Sequence, residues 1–301
     1  MTAPFFIKRC RLKGVAHRDI QWYPRHMTKT RRMIVDQVKN VDIVVEILDA
    51  RIPISSRNPD VDSMVGEKPR LIVLNRADQA DDKMNRLWAD HFRSKGWSVM
   101  VTDCKSGSGV NQFSATVRSA LKEKIARWEE KGLVGRPVRA MVIGVPNVGK
   151  STFINQVAKR KSAKAANKPG VTRGKQWITV DSGLELLDTP GILWPKFEDQ
   201  SVGLNLAYTG AVKDAIMDLE TLSSHLMGLL AKRYPDAITT RYKITISPEM
   251  EDWEILEAAG RKRGFLISGG EVDLERMARV LLEEYRSGKL GRFTLEVPEQ
   301  L

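Results

Sequence analysis

The sequence predicts an α/β domain on a mostly parallel sheet, followed by a smaller helical domain. Three observations carry this. Six apolar, β-branched runs, at 43–50, 70–75, 98–103, 139–145, 176–180 and 184–188, alternate with stretches of helical periodicity, the rhythm of strand–helix–strand units. Short motifs rich in Gly, Asp and Asn close several of these runs, and open α/β sheets gather ligands at the carboxyl ends of their strands. Beyond Pro195 the strand signal fades and helical periodicity takes over at 200–233 and 273–287.

Taken in order, residues 1–19 read as a basic extension whose lack of acidic side chains before Asp19 predicts a tail that orders on a polyanion. The strands "IVVEILDA" (43–50), "RLIVLN" (70–75) and "SVMVTD" (98–103) come next, with helices predicted over 84–95 and 111–130. Gly132, Gly135 and Pro137 interrupt the pattern and mark a connector at 131–138. "RAMVIGV" (139–145), a helix over 151–159, "QWITV" (176–180) and "LELLD" (184–188) complete the sheet. A boundary near residue 200 divides an α/β domain of 20–200 from a helical domain of 201–301, in which "RKRGFLISGGEVD" (261–273) reads as a basic turn region.

At 301 residues the chain has room for two domains with real cores. No apolar run approaches the roughly 20 residues of a membrane span, and no signal-peptide pattern is present. Cys10 and Cys104 lack metal-ligand spacing and fit a reducing compartment; the expectation is a cytoplasmic protein. The formal net charge is +12. Residues 1–40 hold ten Lys or Arg against Asp19 and Asp36, and Lys159 to Lys175 contains no acid. Such runs favour a phosphate-rich partner, because each neutralised phosphate releases counterions; a solvated face or, at the N-terminus, a targeting segment are the alternatives.

The motifs carry the chemistry. "GVPNVGKS" (144–151) fits G-x-x-x-x-G-K-[ST] between a strand and a helix, the context of a P-loop. Pro146, Asn147, Val148, Gly149, Lys150, Ser151 and Thr152 then form the phosphate-binding turn, with Lys150 reaching the β/γ oxygens and Ser151 ligating Mg²⁺. In "LLDTPG" (186–191), Asp188 serves Mg²⁺ and Gly191 offers its N–H to a γ-phosphate; alone, D-T-P-G would be an ordinary turn. Thr172 in "KPGVTRG" is the candidate switch threonine for Mg²⁺ and γ-phosphate, or simply a loop residue. "VLNRAD" (73–78) resembles the guanine-reading N-K-x-D loop, with Arg76 in place of Lys. Asp78 accepts both donors on the N1/N2 edge of guanine, and Asn75 steadies the loop. Here this loop precedes the P-loop, the reverse of the usual order. A sheet keeps no record of chain order, so a G domain whose ends were joined at 131–138 and reopened elsewhere retains its site.

These segments, with "IQWYPRHM" (20–27), "ILDARIPISSRNP" (47–59), "KPGVTRGKQW" (168–177), "LLDTPGILWPKFED" (186–199) and "GLNLAYTGAVKD" (203–214), closely resemble the circularly permuted GTPases of the RbgA/YlqF type, ribosome biogenesis GTPase A. The resemblance implies a circularly permuted P-loop G domain with a helical C-terminal domain that binds ribosomal RNA. It also implies a GTP-hydrolysing factor that binds the maturing large ribosomal subunit and leaves after hydrolysis, with GTP, Mg²⁺ and K⁺ as cofactors, and a monomer away from the ribosome. Ile192 stands where a Ras-like protein orients water with Gln; the family nominates the histidine of its Q-W-F-P-G-H-M segment, matched by His26, although Arg25 replaces the Gly. Without the family, His26 reads as an RNA-contacting or exposed residue. Asn147 resembles the Asn that helps hold K⁺ in potassium-activated G proteins, or is chosen for turn geometry. Cys104 and Lys105 occupy the place of the family's S-A-type guanine contact, where a backbone N–H role carries over. The rival readings are a nucleotide-gated rRNA-binding module with negligible intrinsic hydrolysis and an ATP-dependent P-loop enzyme, the latter opposed by Asn75 and Asp78.

Overall fold

A computed structural model describes residues 25–159, 177–181, 183–194, 197, 199–212, 214 and 218–298, without the side chains of residues 25, 26 and 159. It divides into two compact units, one of 23–195 with 292–301, the other containing 196–291.

The first unit is a six-stranded sheet in the order β3-β2-β1-β4-β6-β5. Its strands are β1 (Ile43–Asp49), β2 (Arg70–Asn75), β3 (Ser98–Val101), β4 (Val138–Ile143), β5 (Trp177–Asp181) and β6 (Leu184–Asp188). All neighbours are parallel except β5 and β6. Every residue of β1 and β2 is buried, as expected of central parallel strands covered on both faces. On one face Val44, Met141 and Leu187 pack under α1 (Arg25–Val38) and α2 (Val61–Val65), and Leu48, Ile72 and Leu74 under α3 (Asp82–Ser94). Val45, Ile47 and Val73 are equally buried on the other. α4 (Phe113–Ala120), α5 (Lys122–Glu130) and α6 (Lys150–Lys159) complete this unit, with Phe113 edge-on to Phe153 at 5.1 Å.

The chain winds outward from β1 to β3 and returns to β4 on the other side of β1. The crevice of this sheet therefore opens where β1 and β4 lie side by side, the switch point at which α/β sheets bind ligands. The pairing of Asp49 with Asn75 and of Val142 with Asp188 brings the strand ends to one edge.

The second unit comprises α7 (Gln200–Tyr208), α8 (Leu219–Arg233), α9 (Pro235–Tyr242), α10 (Asp252–Lys262) and α11 (Leu274–Ser287). Asp218 and Asp273 cap α8 and α11 by accepting the N–H groups of Glu220 and Arg276. The continuous helical reading of 200–233 is corrected: α7 stops at Tyr208 because Gly210 takes φ 79° and turns the chain. The 111–130 helix likewise divides at Leu121, whose side chain is drawn into the core.

Candidate nucleotide-binding site

The P-loop leaves β4 at Gly144 and enters α6 at Lys150. A Cβ on Gly149 (φ 104°) would lie 2.3 Å from Asn75 Nδ2, so only glycine admits that approach. Asn147 turns through φ 58°. Lys150 folds back over the loop and donates to the carbonyls of Gly144 (3.0 Å) and Val145 (2.8 Å). Burial lowers its pKa to about 8, against the opposing pull of Asp188.

The D-T-P-G turn passes directly over this loop. Thr189 Oγ1 donates to Val142 O at 2.6 Å and Ile192 N to Gly144 O at 3.2 Å. A Cβ on Gly191 would meet Pro146 Cα and N at 2.8 Å and Lys150 Nζ at 3.1 Å. Ile192 is buried in the apolar cluster with Ile143 and Leu187, so its side chain faces the core.

Asn75 and the P-loop, 73 residues apart in the chain, are joined at the centre of the site. Asn75 Nδ2 donates to Val148 O at 2.8 Å, while its Oδ1 accepts the Cys104 N–H at 3.1 Å. One buried amide thus binds the base loop, the P-loop and the 102–109 loop together. Arg76, at φ 61°, donates from Nη2 to Asn147 O at 2.8 Å. Asp78 is exposed at the tip; partial burial raises its pKa and the nearby Asp103 carboxylate adds to this. The Cys104 N–H is committed to Asn75 and the Lys105 N–H to Asp103 Oδ1 (2.8 Å); burial pushes the Cys104 thiol up to about 11. Ser151 and Thr152 are exposed on the first turn of α6, and Asp188 ends β6 half-buried. Thr172 lies outside the described residues, as does the His26 side chain, whose backbone is in the first turn of α1.

The sequence assigned no role to Asp49 and Arg51, although D-A-R begins at the last residue of β1, at the same sheet edge. Arg51 donates to the Asp49 carboxylate from N, Nε and Nη2 at 3.0, 2.9 and 2.8 Å. Burial alone would raise the pKa of Asp49, but the Arg51 guanidinium outweighs it and holds the carboxyl below its ordinary value. Arg76 Nε stands 3.7 Å from the same carboxylate. The pair supports the base loop from beneath.

Residues 139–225 match the family model described as 50S ribosome-binding GTPase. Ribosome biogenesis GTPase A of Bacillus cereus is 45% identical over 281 residues, covering 93% of this chain and 95% of that protein. A GDP-bound YlqF structure superposes with TM-score 0.66 at 29% identity, covering 89% of this chain and 100% of that one. GNP-bound YlqF from T. maritima gives 0.62 at 29% identity, covering 91% and 100%. With the base loop placed ahead of the P-loop and both meeting at Asn75, the chain belongs to the ribosome biogenesis GTPase A family and is a GTPase of ribosome assembly.

Proposed function

We propose that this cleft binds GTP with Mg²⁺, that the chain hydrolyses it while bound to the maturing large ribosomal subunit, and that hydrolysis releases the protein. The observation that carries the reading is the Asn75 brace, because it sets the base loop against the P-loop in spite of their reversed order.

In this reading Asp78 reads the N1/N2 edge of guanine, and Asn75 and Arg76 hold the loop. The turn from Pro146 to Thr152 receives the phosphates, and Lys150 exchanges its two carbonyl partners for β/γ oxygens. The donor set suits Mg²⁺, a hard cation that takes few protein ligands beside phosphate oxygens: the Ser151 hydroxyl is exposed beside the turn and the Asp188 carboxylate ends the adjacent strand. Thr172 is assigned to the same ion, which when bound neutralises charge developing on the phosphates. Asn147 is assigned to K⁺, which adds positive charge there. Ile192 is packed in the core, and the water-positioning role is assigned to His26 on the family resemblance of its segment. Its first-turn place on α1 sets it just ahead of Met27, which is buried.

The helical domain and the basic runs at 1–40 and 159–175 are assigned to rRNA, with the chain acting as a cytoplasmic monomer away from the ribosome. No described helix is long and apolar enough to cross a membrane. The test is GTP hydrolysis by wild type and His26→Ala, each alone and with large subunits, in K⁺ and in Na⁺. Strong stimulation of the wild type, lost in the variant with nucleotide binding intact, is the expected result. No stimulation in either salt, with RNA still bound, would favour the gated RNA-binding module, for which the buried Ile192 speaks.

A further inference from the structure

Residues 292–294 are tied to the base loop and the turn that follows it, and residues 295 and 296 to the 51–55 loop and Trp88. Arg292 donates from Nη2 to Ala77 O (2.9 Å) and from Nε to Ala80 O (3.0 Å), and its guanidinium forks onto Asp82 at 2.6 and 2.5 Å. The Phe293 N–H donates to Gln79 O at 2.9 Å. Asp78 therefore lies between two residues whose carbonyls are both held by this segment. Thr294 Oγ1 accepts the Asp81 N–H at 3.1 Å, and the Leu295 N–H donates to Arg51 O at 2.8 Å. The Glu296 carboxylate accepts the N–H groups of Ile54 (2.6 Å) and Ser55 (3.0 Å), while its carbonyl accepts from Trp88 Nε1 at 3.2 Å. Phe293, Thr294 and Leu295 are all buried.

An exposed acidic side chain discriminates guanine only if its backbone is fixed, since both donors of the base edge must be met at once. The three-residue 3₁₀ turn Ala77–Gln79 has little internal means to fix it. We propose that residues 292–296 form a strap that sets the guanine-reading loop, with Arg292 as a positioning residue for nucleotide selectivity. The strap reaches the loop from above through Ala77, Gln79 and Ala80, and from below through Arg51, Asp49 and Arg76. It requires no contact of its own with the nucleotide.

This rests on the assignment of Asp78 to guanine, and the experiment separates the two. GDP, IDP and XDP binding and GDP dissociation are measured for the full chain as wild type, Arg292→Ala, Arg292→Lys, Thr294→Val and Asp78→Asn. IDP lacks the exocyclic amine of guanine, so the GDP to IDP affinity ratio reports how well Asp78 is placed. Arg292→Ala is expected to speed GDP release by about three- to tenfold, chiefly through the off-rate, and to lower the GDP to IDP ratio, with Arg292→Lys intermediate. Arg292 is partly exposed, so the melting temperature should hardly move. Thr294→Val should shift the ratio the same way. Asp78→Asn should lose GDP and gain XDP. If Asp78→Asn leaves GDP binding intact, the guanine assignment itself fails and the strap proposal with it. If Asp78→Asn behaves as expected while Arg292→Ala keeps the wild-type ratio, whether or not overall affinity falls, the strap is merely structural and the proposal is overturned.

Discussion

Replacing Asn75 by Ala tests whether the central brace holds the site. The substitution leaves the Cys104 N–H and the Val148 carbonyl without their partner at a position 3% exposed. Each orphaned buried group costs about 1–3 kcal/mol, so the pair costs on the order of 2–6 kcal/mol before relaxation or water entry reduces it. Both partners belong to nucleotide-facing loops, so the loss divides between folding and binding. If roughly half falls on binding, at least about 1 kcal/mol, GDP affinity drops by about fivefold or more. Asn75→Asp is the sharper variant. It keeps an acceptor for Cys104 but turns a carboxylate oxygen on the Val148 carbonyl, so the P-loop contact becomes repulsive. A fluorescent-GDP titration paired with a urea melt reads both shares. GDP affinity within about twofold of wild type, together with an unfolding free energy unchanged within about 0.5 kcal/mol, would refute the reasoning.

Three further expectations follow from the site and its sheet. Gly191→Ala drives a methyl group to 2.8 Å from the Pro146 backbone, so one of the two turns must shift; GTP hydrolysis should fall at least tenfold while the melt stays cooperative, as single-turnover kinetics would show. Lys150 starts with a pKa near 8, and phosphate raises it, so binding takes up a proton at pH 8.5 and affinity weakens as pH climbs above 8; calorimetry in two buffers of different ionisation heat should find that uptake, and its absence would contradict the buried-lysine account. Glu46 is fully buried, and desolvation, outweighing Arg57 and Arg70 and reinforced by Asp62, raises its pKa from 4.5 to about 7. Its contribution to stability is therefore complete below pH 4.5 and lost as pH rises through 7, a change of roughly 3 kcal/mol. Glu46→Gln should flatten the pH profile of urea unfolding across that window.

The strands were legible because β1 and β2 are mostly apolar and buried on both faces, and their motifs end at one edge of the sheet. The P-loop and the D-T-P-G turn were legible from spacing, since glycine is required where Gly149 and Gly191 meet other backbone or side chains. What the sequence concealed were interactions made between distant segments. Arg51 looks like an exposed cation in a loop, yet it is fully buried on Asp49. "RFTLEVP" (292–298) alternates like a strand, but its partners are the carbonyls and N–H groups of turns, which leave no periodic signature. The break after Tyr208 was hidden for a similar reason: Gly210 sits in an otherwise apolar, helix-like run.

The neighbouring positions of β1 and β4 set a problem for the growing chain. Ile43 pairs with Ala140, almost a hundred residues later. During synthesis β1 can join β2 and β3, but its other edge stays open, apolar and unpaired until β4 has been made. Such an edge invites association with other chains, and the late closure raises contact order and slows folding. The permuted order thus places its burden on biogenesis, because the G domain passes through a half-sheet that an unpermuted chain would not expose in the same way.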